Sequence, residues 1–188
     1  MRVCVYCSSS SAIDEAYAVS ARELGSLLGQ RDHTLVYGGA NVGTMGVLAE
    51  AAHAAGAHVI GIIPRRFVDY GLAYDGVDEL IVTETMSERK AAMEESADAF
   101  VALPGGFGTL EELFQALTLK QLGQLAGPIV LLNTHGFYEH LIAHIDAVFR
   151  HRFAKEEFRG MLAIPNNAQE AMSLIENHAA TLLPRKWN

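Results

Sequence analysis

Three stretches carry residue types from which chemistry could be built. Residues 104 to 112 read PGGFGTLEE: an apolar run ends at Leu103, then come Pro104, Gly105, Gly106, Phe107, Gly108 and Thr109, and Leu110, Glu111 and Glu112 open a helix. Glycines at a strand's carboxyl end let backbone N–H groups turn toward an anion, and the helix start adds its positive dipole end. Glu112 is open to two readings. Three residues after Thr109, it fits a capping box, in which each side chain satisfies a free amide at the helix start. It also fits a catalytic carboxylate, kept ionised by the helix start. Such a group stabilises the positive charge that grows on a sugar as its bond to a base breaks, and it orients or deprotonates the attacking water. Glu111 sits about 100° around the helix from Glu112, so the two do not share one facing site.

The second stretch, YGGANVGTMG at 37 to 46, again places glycines between a strand and a helix. A phosphate site is one reading and a tight, closely packed turn is the other. The spacing is not G-x-G-x-x-G, and no G-K-[ST] follows. About 20 residues on, where a nicotinamide site would want an acid for the ribose, stand Arg65 and Arg66. They leave a 2′-phosphate-binding dinucleotide protein open as an alternative. The third stretch, TMSERKAAMEES at 85 to 96, has Arg89 and Lys90 near a helix start, where cations oppose the dipole. It reads either as a solvated charged face or as the source of a guanidinium that pairs with a phosphate or with Glu112.

These residues must be held by a scaffold. Apolar runs at Val3 to Tyr6, Leu35 to Tyr37, Val59 to Ile63, Leu80 to Val82, Ala99 to Leu103 and Ile129 to Leu132 read as strands. Helical spacing separates most of them, including Ser87 to Ala97, Leu110 to Gly123, Phe137 to His151 and Ala168 to Asn177. Strands too apolar to be exposed on either face, alternating with helices, predict a Rossmann-like, doubly wound α/β fold with a parallel sheet. The one irregular connection, Pro64 to Asp78, carries Gly71, Gly76 and aromatic residues, and long loops at strand carboxyl ends line ligand sites in this class. No linker or repeat divides the chain, so residues 1 to 188 read as a single domain.

Bulk properties narrow the partners. With 14 Lys and Arg against 22 Asp and Glu, the net charge of −8 disfavours a nucleic acid polymer but not a small phosphorylated ligand. No apolar run approaches the ~18 residues of a membrane span and no targeting sequence opens the chain, so the expected address is the cytoplasm. Cys4 and Cys7 form a C-x-x-C, but inside a strand they point to opposite faces and read as packing residues. His140 and His144 are four apart on a helix without the H-E-x-x-H pattern of a metal site. Ser8 to Ser11 lack a nucleophile's partners and are expected to cap the first helix or touch phosphate. Lys90, Lys120, Lys155 and Lys186 have no recognisable Schiff-base context, and Lys186 and Trp187 belong to a short terminal tail.

Taken together, VCVYCSSS at 3 to 10, YGGANVGTMG at 37 to 46, ERKAAM at 88 to 93, PGGFGTLEE at 104 to 112, LTLKQLG and GPIVLLN resemble the LONELY GUY (LOG) family of cytokinin-activating phosphoribohydrolases, whose members are often labelled lysine decarboxylases. The resemblance covers nearly the whole chain. It implies a homodimer that hydrolyses AMP or N6-modified AMP to free base and ribose 5-phosphate without metal or organic cofactor. Arg89 and Glu112 match the family's catalytic pair. Ser8, Gly39, Gly43, Lys90, Gly105, Gly106, Phe107, Gly108, Thr109, Leu110, Glu111 and Thr118 match its substrate-binding positions. Where relatives often carry a substrate-contacting Glu, this chain has Gly71, with Asp69 two positions away. The reading from a different class is a nucleotide-binding module without catalysis, in which Glu112 only caps its helix.

Overall fold

A computed structural model describes residues 1–179; Lys186 and Trp187 lie outside the described residues. The strands are β1 (Arg2–Tyr6), β2 (Thr34–Tyr37), β3 (Val59–Pro64), β4 (Glu79–Thr83), β5 (Ala99–Ala102), β6 (Ile129–Leu131) and β7 (Leu162–Ala163). The helices are α1 (Glu15–Gln30), α2 (Gly43–Ala54), α3 (Arg65–Asp69), α4 (Met86–Glu95), α5 (Phe107–Gln121), α6 (Glu139–Arg150) and α7 (Ala168–Glu176). The strands form one parallel sheet in the order β4-β3-β2-β1-β5-β6-β7. This is the Rossmann-like α/β architecture that the alternation of strand and helix predicts. Two elements escape the sequence pattern. β7 is only two residues long, and α3 sits inside the connection expected to be irregular.

Side-chain alternation along the strands builds two cores, one on each face of the sheet. Val3, Val5 and Cys7 point with Leu35, Tyr37 and Val101 toward α1, α2 and α7. Cys4 and Tyr6 point with Ile60, Ile62 and Phe100 toward α4 and α5. The two cysteines are therefore free thiols on opposite faces, and burial pushes the Cys7 thiol up to about 12 and raises that of Cys4 as well. On the first face α1 and α2 pack closely. A Cβ at Gly25 would lie 2.4 Å from the Leu48 carbonyl oxygen and 3.0 Å from the Ala52 amide nitrogen. Neither backbone atom can move without moving its helix. Gly25→Ala should lower unfolding free energy by about 1–3 kcal/mol through overpacking, read from urea denaturation; an unchanged midpoint would show that the helices separate freely.

Candidate active site

The chain runs outward from β1 to β4, then returns to place β5 on the other side of β1. The connections after β1 and β5 therefore leave toward opposite faces and open a crevice between them, the usual ligand position in a doubly wound sheet. A cavity of about 530 Å³ lies there.

Its first wall is the loop after β1. The Ser8 amide donates to Thr44 Oγ1 (2.9 Å) and the Thr44 hydroxyl donates back to the Ser8 carbonyl (3.2 Å), tying this loop to the start of α2. Ser8, Ser9 and Ser10 line the cavity, and the Ser10 amide donates to Ser8 Oγ (3.0 Å). The serines do not cap α1. Asp14 takes that position, accepting from the Ala16 amide at 2.9 Å, because three residues still separate Ser11 from the helix start.

The glycine loop after β2 supplies the next wall. Gly39, at φ 75°, turns its carbonyl to accept from the Tyr74 amide (3.0 Å), while the Asn41 amide donates to the Leu72 carbonyl (2.9 Å). These bonds draw the end of the Pro64–Asp78 connection over the cavity, so Leu72 and, from α3, Phe67 line it. Gly38, Ala40, Val42 and Met45 line it too, whereas Gly39 packs on Ile62 and Ile63, and Gly43 packs behind the Ser8–Ser10 backbone. Gly71 and Asp69 are exposed and outside the lining, as are Arg65 and Arg66. The apolar residues Phe67, Leu72 and Met86 were not singled out from the sequence. Their only signal was that an irregular connection followed a strand's carboxyl end.

The PGGFGTLEE stretch, after β5 and so beside the serine loop, supplies a third wall. Its helix begins at Phe107, three residues earlier than expected, with Gly106 as the N-cap. Thr109 is consequently the third residue of α5, turned inward and buried under Gly105, and Glu112 is the sixth. The capping box expected there does not form. It forms one helix earlier, where the Glu88 amide donates to Thr85 Oγ1 (3.1 Å) and the Thr85 amide donates to Glu88 Oε2 (3.4 Å). Gly106, Phe107, Gly108 and Thr109 line the cavity, and the amides of the last three have no intrahelical acceptor. They make an anion-accepting helix end.

Two charged side chains close the floor. Arg89 and Glu112 are each 7% exposed, so the face bearing Arg89 is not solvated. Arg89 Nη1 donates to Glu112 Oε1 at 2.6 Å and Nε donates to the Ile62 carbonyl at 3.1 Å. Burial raises the Glu112 carboxyl above the ordinary glutamate value, and the Arg89 charge and hydrogen bond pull it partway back. Burial rather than a helix end thus sets the behaviour of this acid.

Other expected binding positions go elsewhere. Lys90, next to Arg89 but turned outward, pairs with Glu111 and donates to Gln115 Oε1 at 2.7 Å; neither Lys90 nor Glu111 lines the cavity. Leu110 packs in the core beneath α5, and Gly105 lies behind the lining. Thr118 is exposed, bonded to the Phe114 carbonyl at 2.7 Å, and about 13 Å along the helix from Thr109.

The family model described as a possible lysine decarboxylase matches residues 45–175. LOG2 of Arabidopsis thaliana, a cytokinin riboside 5'-monophosphate phosphoribohydrolase, is 41% identical over 177 residues, with 94% of this chain and 83% of the relative covered. The enzyme of the same name, LOG, from Oryza sativa subsp. japonica is also 41% identical, covering 94% of this chain and 73% of the relative. The chain belongs to the LOG family. Among solved structures, the molybdenum cofactor carrier protein of Chlamydomonas reinhardtii superposes with a TM-score of 0.72 at 26% identity, covering 93% of this chain and 95% of the carrier. A molybdenum cofactor binding protein from Rippkaea orientalis gives 0.72 and 26%, covering 93% and 94%. The decarboxylase description of the family does not suit these residues. Among the described residues no lysine lines the cavity, and buried Lys120 gives its protons to the Ala126 and Gly127 carbonyls instead. The site does not fit a Schiff-base cofactor.

The buried pair makes a measurable statement. In Arg89→Met, Glu112 loses the partner that lowers its carboxyl, so its titration should move further up from the wild-type position, as read by carbon NMR of labelled glutamate. An unmoved titration would mean that the two groups are not coupled.

Proposed function

We propose that the protein hydrolyses the N-glycosidic bond of AMP or of an N6-modified AMP, a cytokinin riboside 5'-monophosphate, giving free base and ribose 5-phosphate. The observation that carries this reading is the placement of the Arg89–Glu112 pair between an anion-accepting helix end and an apolar wall. Sheet order supports it. The loops after β1 and β5 lie at one side of the cavity, and α3, Leu72 and Met86, from the β3–β4 side, lie at the other. A 5'-phosphate on the first-turn amides of α5 sets the ribose over Glu112 and the base against Phe67, Leu72 and Met86.

The chemistry follows from that pose. As the bond from C1' to the base nitrogen lengthens, positive charge grows on the ribose, and the Glu112 carboxylate stabilises it. Glu112 also takes a proton from the water that adds its oxygen to C1', a task suited to a carboxyl that burial makes more basic than an ordinary glutamate. The bond's electrons leave with the base, whose nitrogen takes up the proton that Glu112 removed from the water, so that Glu112 is again ionised. Arg89 keeps enough of the carboxyl ionised to act. The protein's proposed address is the cytoplasm, and neither a nucleic acid polymer nor a membrane is needed as partner.

Glu112→Gln keeps the size and loses the charge. It should cut hydrolysis of AMP and N6-isopentenyl-AMP by about 10³-fold or more while nucleotide binding persists, with free base and ribose 5-phosphate followed by chromatography. Binding without turnover in the unmodified protein would instead favour a nucleotide-binding module without catalysis.

The active unit is proposed to be a homodimer. Phe107 is 93% exposed, Phe114, one helical repeat further along the same face of α5, is 41% exposed, and Met86 across the cavity mouth is 43% exposed. This apolar row suits a second copy of the chain. Phe114→Glu should convert the dimer to a monomer in light scattering coupled to gel filtration; an unchanged mass would place the interface elsewhere.

A further inference from the structure

Gly38 ends at the cavity immediately after β2, next to Gly39, but the two glycines are there for different reasons. Gly39 has φ 75°, a conformation that L side chains rarely adopt, whereas Gly38 is not among the glycines with positive φ. Backbone geometry alone would therefore admit an alanine at 38. The space would not. A Cβ on Gly38 would stand 2.0 Å from Arg89 Nη2, 3.1 Å from Arg89 Cζ and 2.9 Å from Met45 Sδ. These contacts are to the far ends of side chains, not to backbone, so the conflict falls on Arg89 and Met45 and not on the fold.

Arg89 cannot yield without loss. Its Nε is fixed to the Ile62 carbonyl and its Nη1 to Glu112, and among the described residues Nη2, the nitrogen over Gly38, has no hydrogen-bond acceptor. A guanidinium is planar, so pushing Nη2 aside tilts all three nitrogens together. Gly38 and Arg89 both line the cavity.

We propose that Gly38 is a positioning residue: the missing side chain is the slot in which the Arg89 guanidinium lies, and this slot keeps Arg89 on Glu112. The catalytic part of this proposal rests on the hydrolase reading above; the positional part does not. Filling the slot pushes Arg89 off the carboxylate, and Glu112, still buried, loses the one strong influence that holds its carboxyl down.

The test is Gly38→Ala, examined first by thermal melting and by carbon NMR titration of labelled glutamate, neither of which requires turnover. The variant should still fold and melt below the wild type, since it breaks a buried pair, but no lower than Arg89→Met, while Glu112 titrates higher, at the position reached in Arg89→Met. In the Arg89→Met background, adding Gly38→Ala should move Glu112 no further. Turnover of AMP or N6-isopentenyl-AMP should fall about 10²-fold, as expected for a misplaced catalytic group, with KM changed by less than about threefold. An unmoved Glu112 titration in Gly38→Ala overturns the proposal, and so do shifts that add in the double variant. A Gly38→Ala protein that fails to fold even with Arg89→Met also overturns it, because the clash would then not be with the guanidinium. If the wild type turns over no nucleotide, the hydrolase reading falls while the titration still decides the role of Gly38.

Discussion

A guanidinium and a carboxylate held 2.6 Å apart at 7% exposure persist only while everything around them stays fixed, since either one alone in that place would be an uncompensated buried charge. Much of the molecule can be understood as the means of keeping Arg89 and Glu112 there. The Thr85–Glu88 box fixes where α4 begins, and so where Arg89 lies on it. The Ile62 carbonyl, at the inner edge of β3, holds the guanidinium from below. Pro104, Gly105 and Gly106 start α5 early enough that Glu112 falls on its buried side. The pair joins residues 23 apart in sequence. It marks the place where α4 and α5, packed on the same face of the sheet, both reach the crevice.

The sheet order explains why the cavity has two unlike ends. Reversal of strand adjacency between β1 and β5 opens the crevice, and the serine loop and the first turn of α5 fill its polar side with amides and hydroxyls. The far side receives its apolar wall from a connection tethered by main-chain bonds to the glycine loop. A site with an anion end, a charged middle and an apolar end suits a phosphorylated sugar carrying a base. Among the described residues it offers no lysine for carbonyl chemistry. The kinship with LOG enzymes and the shared fold of the molybdenum cofactor carriers thus differ in weight: LOG2 is 41% identical over most of the chain, the Chlamydomonas carrier 26%.

Much of this was legible in the residues. Alternating apolar runs determined a parallel sheet with helices on both faces, because strands without a polar side must be covered twice. The glycine stretches marked the two loops at the cavity, and the joint presence of ERK and PGGFGTLEE pointed to Arg89 and Glu112. What pattern could not decide was direction. The sequence T-x-x-E occurs at both Thr85 and Thr109, yet only the first is a capping box, because two glycines before Phe107 let α5 start a turn early and rotate Thr109 into the core. Lys90 and Arg89 are neighbours, yet one faces the cavity and the other an outer network with Glu111 and Gln115, since adjacent helical residues point about 100° apart.

The sequence by itself thus determined the class of fold and the glycine loops that reach the cavity, and its family resemblance pointed to Glu112, because periodicity, glycine and charge are local properties of the chain. The tertiary structure decided which groups share one space. Phe67 and Leu72 became a cavity wall only through a loop tethered to residues about 30 positions earlier. Gly38 acquired its meaning only when Arg89, 51 residues later, lay across it. Burial set the carboxyl of Glu112, and burial is a property of the packed neighbours rather than of the residue.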